Sequence, residues 1–292
     1  SSVKPTMLQR IAEKTPDSDL VSCPAGGAGP LRERIKQCLA LDDDADDEAI
    51  QGILNKRAGD NAMLVDNAHH LIQPVVDGLH DMDSLVALAR SSSQSCTWVF
   101  AFDNNIWQLF SRARDVKPLF DDIVKLRPWS EDGIVRLLSS RAEAAELDPD
   151  FSRLVGELPE DADEIDHAEA LERAQQGYYR LLWDYSQGNP GVSLHYWRAS
   201  LRRDPSARCV VRLFEPPQTT DLDTLPDSAV FVMRAIIQAT MLHRRDVEDA
   251  VRYATTHEYI EEDEGRFRVR WTWFRTITRF LTRRHLLLGP YQ

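Results

Sequence analysis

Two apolar runs dominate the first half of the chain. Ala62-Met63-Leu64-Val65 ends at Asp66, and Thr97-Trp98-Val99-Phe100-Ala101-Phe102 ends at Asp103-Asn104-Asn105. Continuous apolar runs of this length, closed by polar residues, predict parallel strands buried on both faces. Residues 19–23 and 120–126 read as two further strands. Helical spacing separates them, through Met7, Leu8 and Ile11, then Leu31, Ile35, Cys38 and Leu39, then roughly residues 71–89 and 106–114. Strands alternating with helices predict an α/β core built on a parallel sheet. Later the pattern turns helical at 133–146 and 178–183. A polar, acidic segment (157–166) lies between them, and Gly188-Asn189-Pro190-Gly191 precedes another helix. A strand is expected at 207–214, a linker at 215–225, and helices at 227–241, 246–259 and 273–287. Alternation over 266–271 puts Phe267, Val269 and Trp271 inward and arginines outward.

The candidate chemistry sits at the strand ends. A carboxylate at the C-terminal tip of a buried parallel strand lies where open α/β sheets bind ligands, and it suits Mg²⁺, which takes hard oxygen ligands. Asp66 is that carboxylate, and the same position also fits a helix cap. Asp103 and Asn104 fit either a polar strand tip or ordinary turn chemistry. Lys4-Pro5-Thr6 opens a helix and reads equally as a helix start with proline in its first turn. The loop from Pro24 to Pro30 is glycine-rich but lacks a following Lys-Ser/Thr, so it reads as a plain loop. The acidic run 42–48 reads as a solvated turn and helix start.

Charge and cysteines narrow the partners. A net charge of −12 opposes broad binding to nucleic acid or anionic membrane, leaving only a local basic face for that purpose. Cys23, Cys38, Cys96 and Cys209 form no CxxC pair, which argues against a zinc site or disulfide framework and fits a reducing, cytoplasmic setting. No apolar run reaches the roughly 20 residues of a membrane span.

Taken in order, the lysine-bearing helix start, the Asp-tipped strand, the polar-tipped strand, Pro128-Trp129-Ser130-Glu131 and Gly188-Asn189-Pro190 resemble the AAA+ P-loop NTPases of the initiator-like and STAND branches. The resemblance covers roughly residues 1–203. It implies an AAA+-like α/β nucleotide-binding core (1–127), a helical lid (128–203), a linker (204–225) and a small α+β winged-helix-like domain (226–292). It further implies ATP or ADP as ligand, with Lys4, Thr6, Asn189 and Pro190 at the nucleotide and Thr6 and Asp66 at Mg²⁺. Asp103 and Asn104 would orient water, and Arg112 or Arg114 would act in trans on a neighbouring subunit. Val3, Pro5, Asn67 and Gly191 depart from the pattern. Asn67 stands where hydrolysing members carry a glutamate, and an amide cannot take the proton of the attacking water, a loss on the order of 10²–10⁴ in rate. His69 or His70 could substitute as a base, since imidazole titrates near neutrality, but both read rather as packed or surface histidines on the helix after the strand tip. The expectation is a regulatory ATP-binding protein with slow or assembly-dependent hydrolysis, working with a protein partner or as a homo-oligomer. The alternatives are a catalytically inactive interaction module and a DNA-binding regulator acting through Arg275, Arg279, Arg283 and Arg284.

Overall fold

The computed structural model describes residues 3–15, 17–24, 27–57, 61–72, 77–116, 118–157, 159, 163–239, 248–263 and 266–287, without the side chains of 3–6, 109, 238, 239, 263 and 266. Contacts divide it into two units. One gathers Ser1–Ile123, Pro226–Val269 and Arg284–Gln292; the other gathers Val124–Leu225 and Arg270–Arg283.

In the first unit, β1 (Ser18–Ser22), β2 (Ala62–Asp66) and β3 (Thr97–Phe100) form a parallel sheet in that order, with Ser22 in register with Asp66 and Val65 with Phe100. All five residues of β2 are buried, the outcome expected of an unbroken apolar strand with a neighbour on each side. Side chains alternate across the sheet. Met63 and Val65 join the core beneath α2 (Ala28–Cys38), α3 (Asp47–Lys56) and α4 (His80–Ser91). Ala62 and Leu64 pack with Leu8 of α1 (Val3–Lys14) on the opposite face, beside Leu20, Val99 and Ala101. Helices α2 and α3 are clasped by Arg32, which donates to both carboxylate oxygens of Asp47 at 2.7 and 2.8 Å and to Ser84 of α4. After β3 comes α5 (Asn104–Ala113), whose Trp107 and Phe110 meet Phe102 and Phe120 in an aromatic cluster.

Two expected elements differ. Residues 120–126 join no ladder among the described residues, and beyond Phe120 they run exposed, with Val124 78% accessible. An apolar run becomes a strand only where a neighbour takes its backbone N–H and C=O groups. The helix expected over 71–89 is present from His80 onward as α4; a 3₁₀ turn, Ala68–Leu71, precedes it and ends where Ile72 goes extended, while 73–76 lie outside the described residues. The first unit also holds α9 (Asp227–Ala239), α10 (Glu248–Thr256) and a hairpin of β6 (Ile260–Asp263) and β7 (Arg266–Val269). Phe267 and Val269 are buried and Arg268 exposed, as the alternation requires.

The second unit packs α6 (Glu131–Ala144), α7 (Glu164–Ser186), α8 (Pro190–Ser200) and α11 (Trp271–Arg283) around Ile134, Leu138, Tyr178, Leu182, Val192, Tyr196 and Trp197. A short hairpin, β4 (Leu201–Arg203) with β5 (Cys209–Val211), extends it. Ser130 caps α6 through the Gly133 N–H, as its position predicts. Helix α7 begins well before the helical periodicity at 178–183, at the end of the polar, acidic segment. Its first turn is held by a capping box in which Asp163 accepts from Ile165 and Asp166 while Asp166 accepts from Asp163 N–H. Buried hydroxyls tie α11 to its neighbours: Tyr196 donates to the Thr272 carbonyl at 2.7 Å and Thr276 to the Pro217 carbonyl at 3.0 Å.

Two outcomes follow for stability. Gly188 ends α7 at φ +68°, and a Cβ there would stand 2.3 Å from the Trp129 carbonyl oxygen, so Gly188→Ala should cost about 2–4 kcal/mol in urea unfolding. Burial raises the phenol pKa of Tyr178, Tyr179 and Tyr196 in the folded chain. Tyrosines of the unfolded chain ionise near pH 10, so this stabilisation is complete below about pH 10 and declines as pH rises above it. The urea midpoint should therefore fall between pH 8 and about pH 11, less steeply in Tyr178→Phe than in the parent.

Candidate functional site

The sheet places its chemistry at the ends of the strands. Asp66 follows Ala62 and Leu64 onto the face covered by α1, together with Ser22 and Ala101. On that face Leu8 of α1 packs against Ala62 and Leu64. The side chains of Lys4 and Thr6 themselves lie outside the described residues. The tips are knitted by backbone bonds: Cys23 N–H donates to the Asp66 carbonyl at 2.8 Å, and Ala68 N–H to the Ala101 carbonyl at 3.0 Å.

The Asp66 carboxylate is buried, 6% exposed, and accepts from the Asn67 backbone N–H at 2.8 Å. A buried carboxylate needs such donors or a cation to offset its lost hydration. Asn67 adopts the left-handed conformation, φ 55°, which asparagine tolerates better than glutamate. Its amide donates towards Ser22 Oγ at 3.3 Å and the Asp66 carboxylate at 3.4 Å. Asparagine therefore has a conformational reason to stand here in addition to its chemical consequence. Ser22 was not singled out by its sequence; its only signal is its place at the last position of a short strand.

His69 and His70 are buried in the turn after Asn67, their rings 4.4 Å apart, and His70 Nδ1 lies 2.7 Å from the Cys23 carbonyl. Of the packed and surface alternatives, both take the packed one, in a 3₁₀ turn at the strand tip. Asp103 caps α5, accepting from Asn105 N–H at 3.0 Å, and leaves Asn104 exposed in the first turn. Asn189 caps α8, accepting from Gly191 and Val192 N–H at 2.9 and 3.3 Å, with Pro190 in the first turn. Arg114 bonds Asp83, whereas Arg112 is exposed and meets no carboxylate among the described residues. At the start of α2, after the glycine-rich loop, the Ala28 N–H donates to Asp81 at 3.1 Å, so that donor is already used within the chain.

Gly191 has a packing role. A Cβ at this position would meet three ring carbons of Trp271 at 2.7, 2.8 and 3.0 Å, so the indole of α11 occupies the space over the start of α8. The adjoining Thr272 hydroxyl lies 3.0 Å from His195 Nε2, which engages the nearest basic side chain on that helix.

No family model matches this chain, and no curated protein does either. Solved structures give only distant likeness. The Walker-type ATPase PABY2304 of Pyrococcus abyssi is 12% identical at a TM-score of 0.43, over 94% of this chain and 87% of that one. Cdc6p from Pyrobaculum aerophilum is 12% identical at 0.40, over 97% and 84%. RuvB R170A of Thermotoga maritima is 11% identical at 0.27, over 93% and 90%. At these TM-scores the likeness assigns no function to this chain.

The Trp271–Gly191 contact can be tested by a double-mutant cycle. Gly191→Ala should destabilise the protein by about 1–3 kcal/mol through overpacking, and by much less in a Trp271→Leu background, giving a coupling of at least about 1 kcal/mol.

Proposed function

We propose that this chain is a nucleotide-binding regulatory protein of the AAA+ P-loop type, taking ATP with Mg²⁺ and hydrolysing it slowly or only in an assembly. The observation that carries the reading is a buried carboxylate, Asp66, at the tip of the central parallel strand, on the face against which Leu8 of α1 packs; the first turn of that helix contains Lys4 and Thr6. In this reading Asp66 and Thr6 hold Mg²⁺, and Lys4 meets the phosphates. Mg²⁺ contributes neutralisation of the phosphate charge.

The chain's own residues set a low ceiling on turnover. Asn67 supplies no general base. Asp103 and Asn189 already spend side-chain oxygens on helix caps, and Arg114 is bonded to Asp83, which leaves Arg112 as the better candidate for a neighbour's site. Binding depends less on these groups than hydrolysis does, so the switch reading is preferred over the inactive module. The α9, α10 and β6–β7 segment is read as winged-helix-like. The DNA-binding alternative gains little from it, because Arg268 bonds Glu261, Arg283 bonds Asp223, and the Arg275 pKa is lowered, first by burial and then by the Arg279 charge.

Calorimetric titration of the 292-residue chain with ATP and Mg²⁺ tests the proposal. Micromolar binding is expected, weakened at least about 100-fold, or roughly 2.7 kcal/mol, in Lys4→Ala and in Asp66→Ala. The absence of both heat and a thermal shift at millimolar ATP would sink the switch reading and leave the interaction module.

A further inference from the structure

Helix α11 carries two guanidinium groups that the rest of its unit leaves unanswered. Arg275 and Arg279 stand one turn apart, a spacing that sets their side chains on one face, with about 5–6 Å between Cβ atoms. Arg275 is half-buried and Arg279 exposed, and neither side chain meets an acceptor oxygen within bonding distance among the described residues. One turn further on, Arg283 shows the paired arrangement, reaching Asp223 at 3.2 Å. Like charges at this spacing repel, and a guanidinium drawn partly out of water needs acceptors for its N–H groups. The groups acting on Arg275 are Arg279 on its own helix and, on α7, the Asp184 carboxylate and the Tyr185 phenol. Burial, followed by the Arg279 charge, prevails and holds the Arg275 pKa below the ordinary arginine value.

A third donor beside the pair is under-used. The Tyr185 hydroxyl lies 3.5 Å from the Tyr196 hydroxyl and 3.4 Å from Thr276 Oγ1, both longer than the about 2.7–2.8 Å usual between hydroxyls. Those two neighbours give their own protons to backbone carbonyls, Tyr196 to Thr272 at 2.7 Å and Thr276 to Pro217 at 3.0 Å. They hold the Tyr185 ring in place and leave its proton without a short acceptor. The end of α7 thus offers a hydroxyl donor next to two guanidinium groups of α11. A phosphoryl group suits this set, because it has several acceptor oxygens and more than one negative charge, and guanidinium forks bind its oxygens in pairs. A carboxylate, with two oxygens and one charge, would leave a donor idle.

We propose that Arg275, Arg279 and the Tyr185 hydroxyl form a binding site for a phosphoryl dianion, separate from the strand-tip site of Asp66. Free phosphate, pyrophosphate and the terminal phosphate of a nucleotide present the same oxygens to these donors. An anion bound there neutralises the repelling pair and fastens α11 to the end of α7, so the site works as a ligand-dependent clasp within this unit. The inference does not rest on nucleotide binding at Asp66.

Calorimetric titration of the whole protein with sodium pyrophosphate, without Mg²⁺ and at constant ionic strength, tests the site. It is run in the Lys4→Ala background, which removes the phosphate-meeting lysine of the proposed nucleotide site. Binding is expected there, and adding Arg275→Gln or Arg279→Gln should weaken it at least about tenfold, Tyr185→Phe about threefold. Arg279 is exposed, so its variant keeps the fold. Without ligand Arg279→Gln should raise the urea midpoint by relieving repulsion, and pyrophosphate should raise the midpoint of the parent but not of this variant. Repeating the titration with ATP distinguishes the sources: pyrophosphate binding alone assigns a free oxyanion, binding of both a phosphorylated molecule. No pyrophosphate binding in the Lys4→Ala background, binding indifferent to Arg275 and Arg279, or equal stabilisation by NaCl at the same ionic strength would overturn the proposal. So would duplex DNA binding that needs Arg279 in a chain that takes no pyrophosphate, which would give α11 to nucleic acid instead.

Discussion

The backbone bonds that continue past the ends of the strands are the constraint on which the candidate site depends. Parallel pairing alone would leave three strand ends free to diverge. The Cys23-to-Asp66 and Ala68-to-Ala101 bonds hold them level, so that Ser22, Asp66 and Ala101 reach one edge together. Because β2 is buried on both faces, its register cannot slip by one residue without turning Asp66 from the α1 side to the α2–α4 side and moving Met63 and Val65 out of their core. Packing of apolar residues thus fixes the direction of a charged one.

Much of this was legible in the sequence. The runs ending at Asp66 and at Asp103 became strands because their length, apolar continuity and polar stops agree, and α/β alternation followed from them. Residues 120–126 have comparable apolar content yet join no ladder, since pairing belongs to the neighbour as much as to the segment. The front half of α7 was opaque for the converse reason. Of its first nine residues only Ala170 is buried, so no apolar stripe announces the helix, and the capping box at Asp163 and Asp166 carries its start. Strand β6, Ile260-Glu261-Glu262-Asp263, has a single strongly apolar residue and is identified by its partner β7.

The site was legible in position and ambiguous in role. Asp103 and Asn189 stand where a ligand-facing group was expected, and both accept backbone N–H groups as helix caps. Short oxygen-bearing side chains just before a helix satisfy either demand, so one sequence cannot separate the two. Asn67 adds a third: its left-handed backbone favours asparagine irrespective of whether a base was ever needed. The filling of the space at Gly191 by Trp271 was beyond reach of any spacing argument, because the two residues are distant in sequence.

The grouping of residues 270–283 with 124–225, while the segments on either side of them belong to the first unit, has a consequence for how the molecule is inherited and taken apart. The chain passes between the units four times, at 123/124, 225/226, 269/270 and 283/284. Neither unit is therefore a portable module in the genetic sense. A cut at 225/226 would strip α11 from the core of Tyr196 and Trp197 and at the same time remove α9 and the β6–β7 hairpin from the first unit. Recombination or proteolysis that respects linear order would damage both units at once, so the two are obliged to be made, degraded and exchanged as one piece.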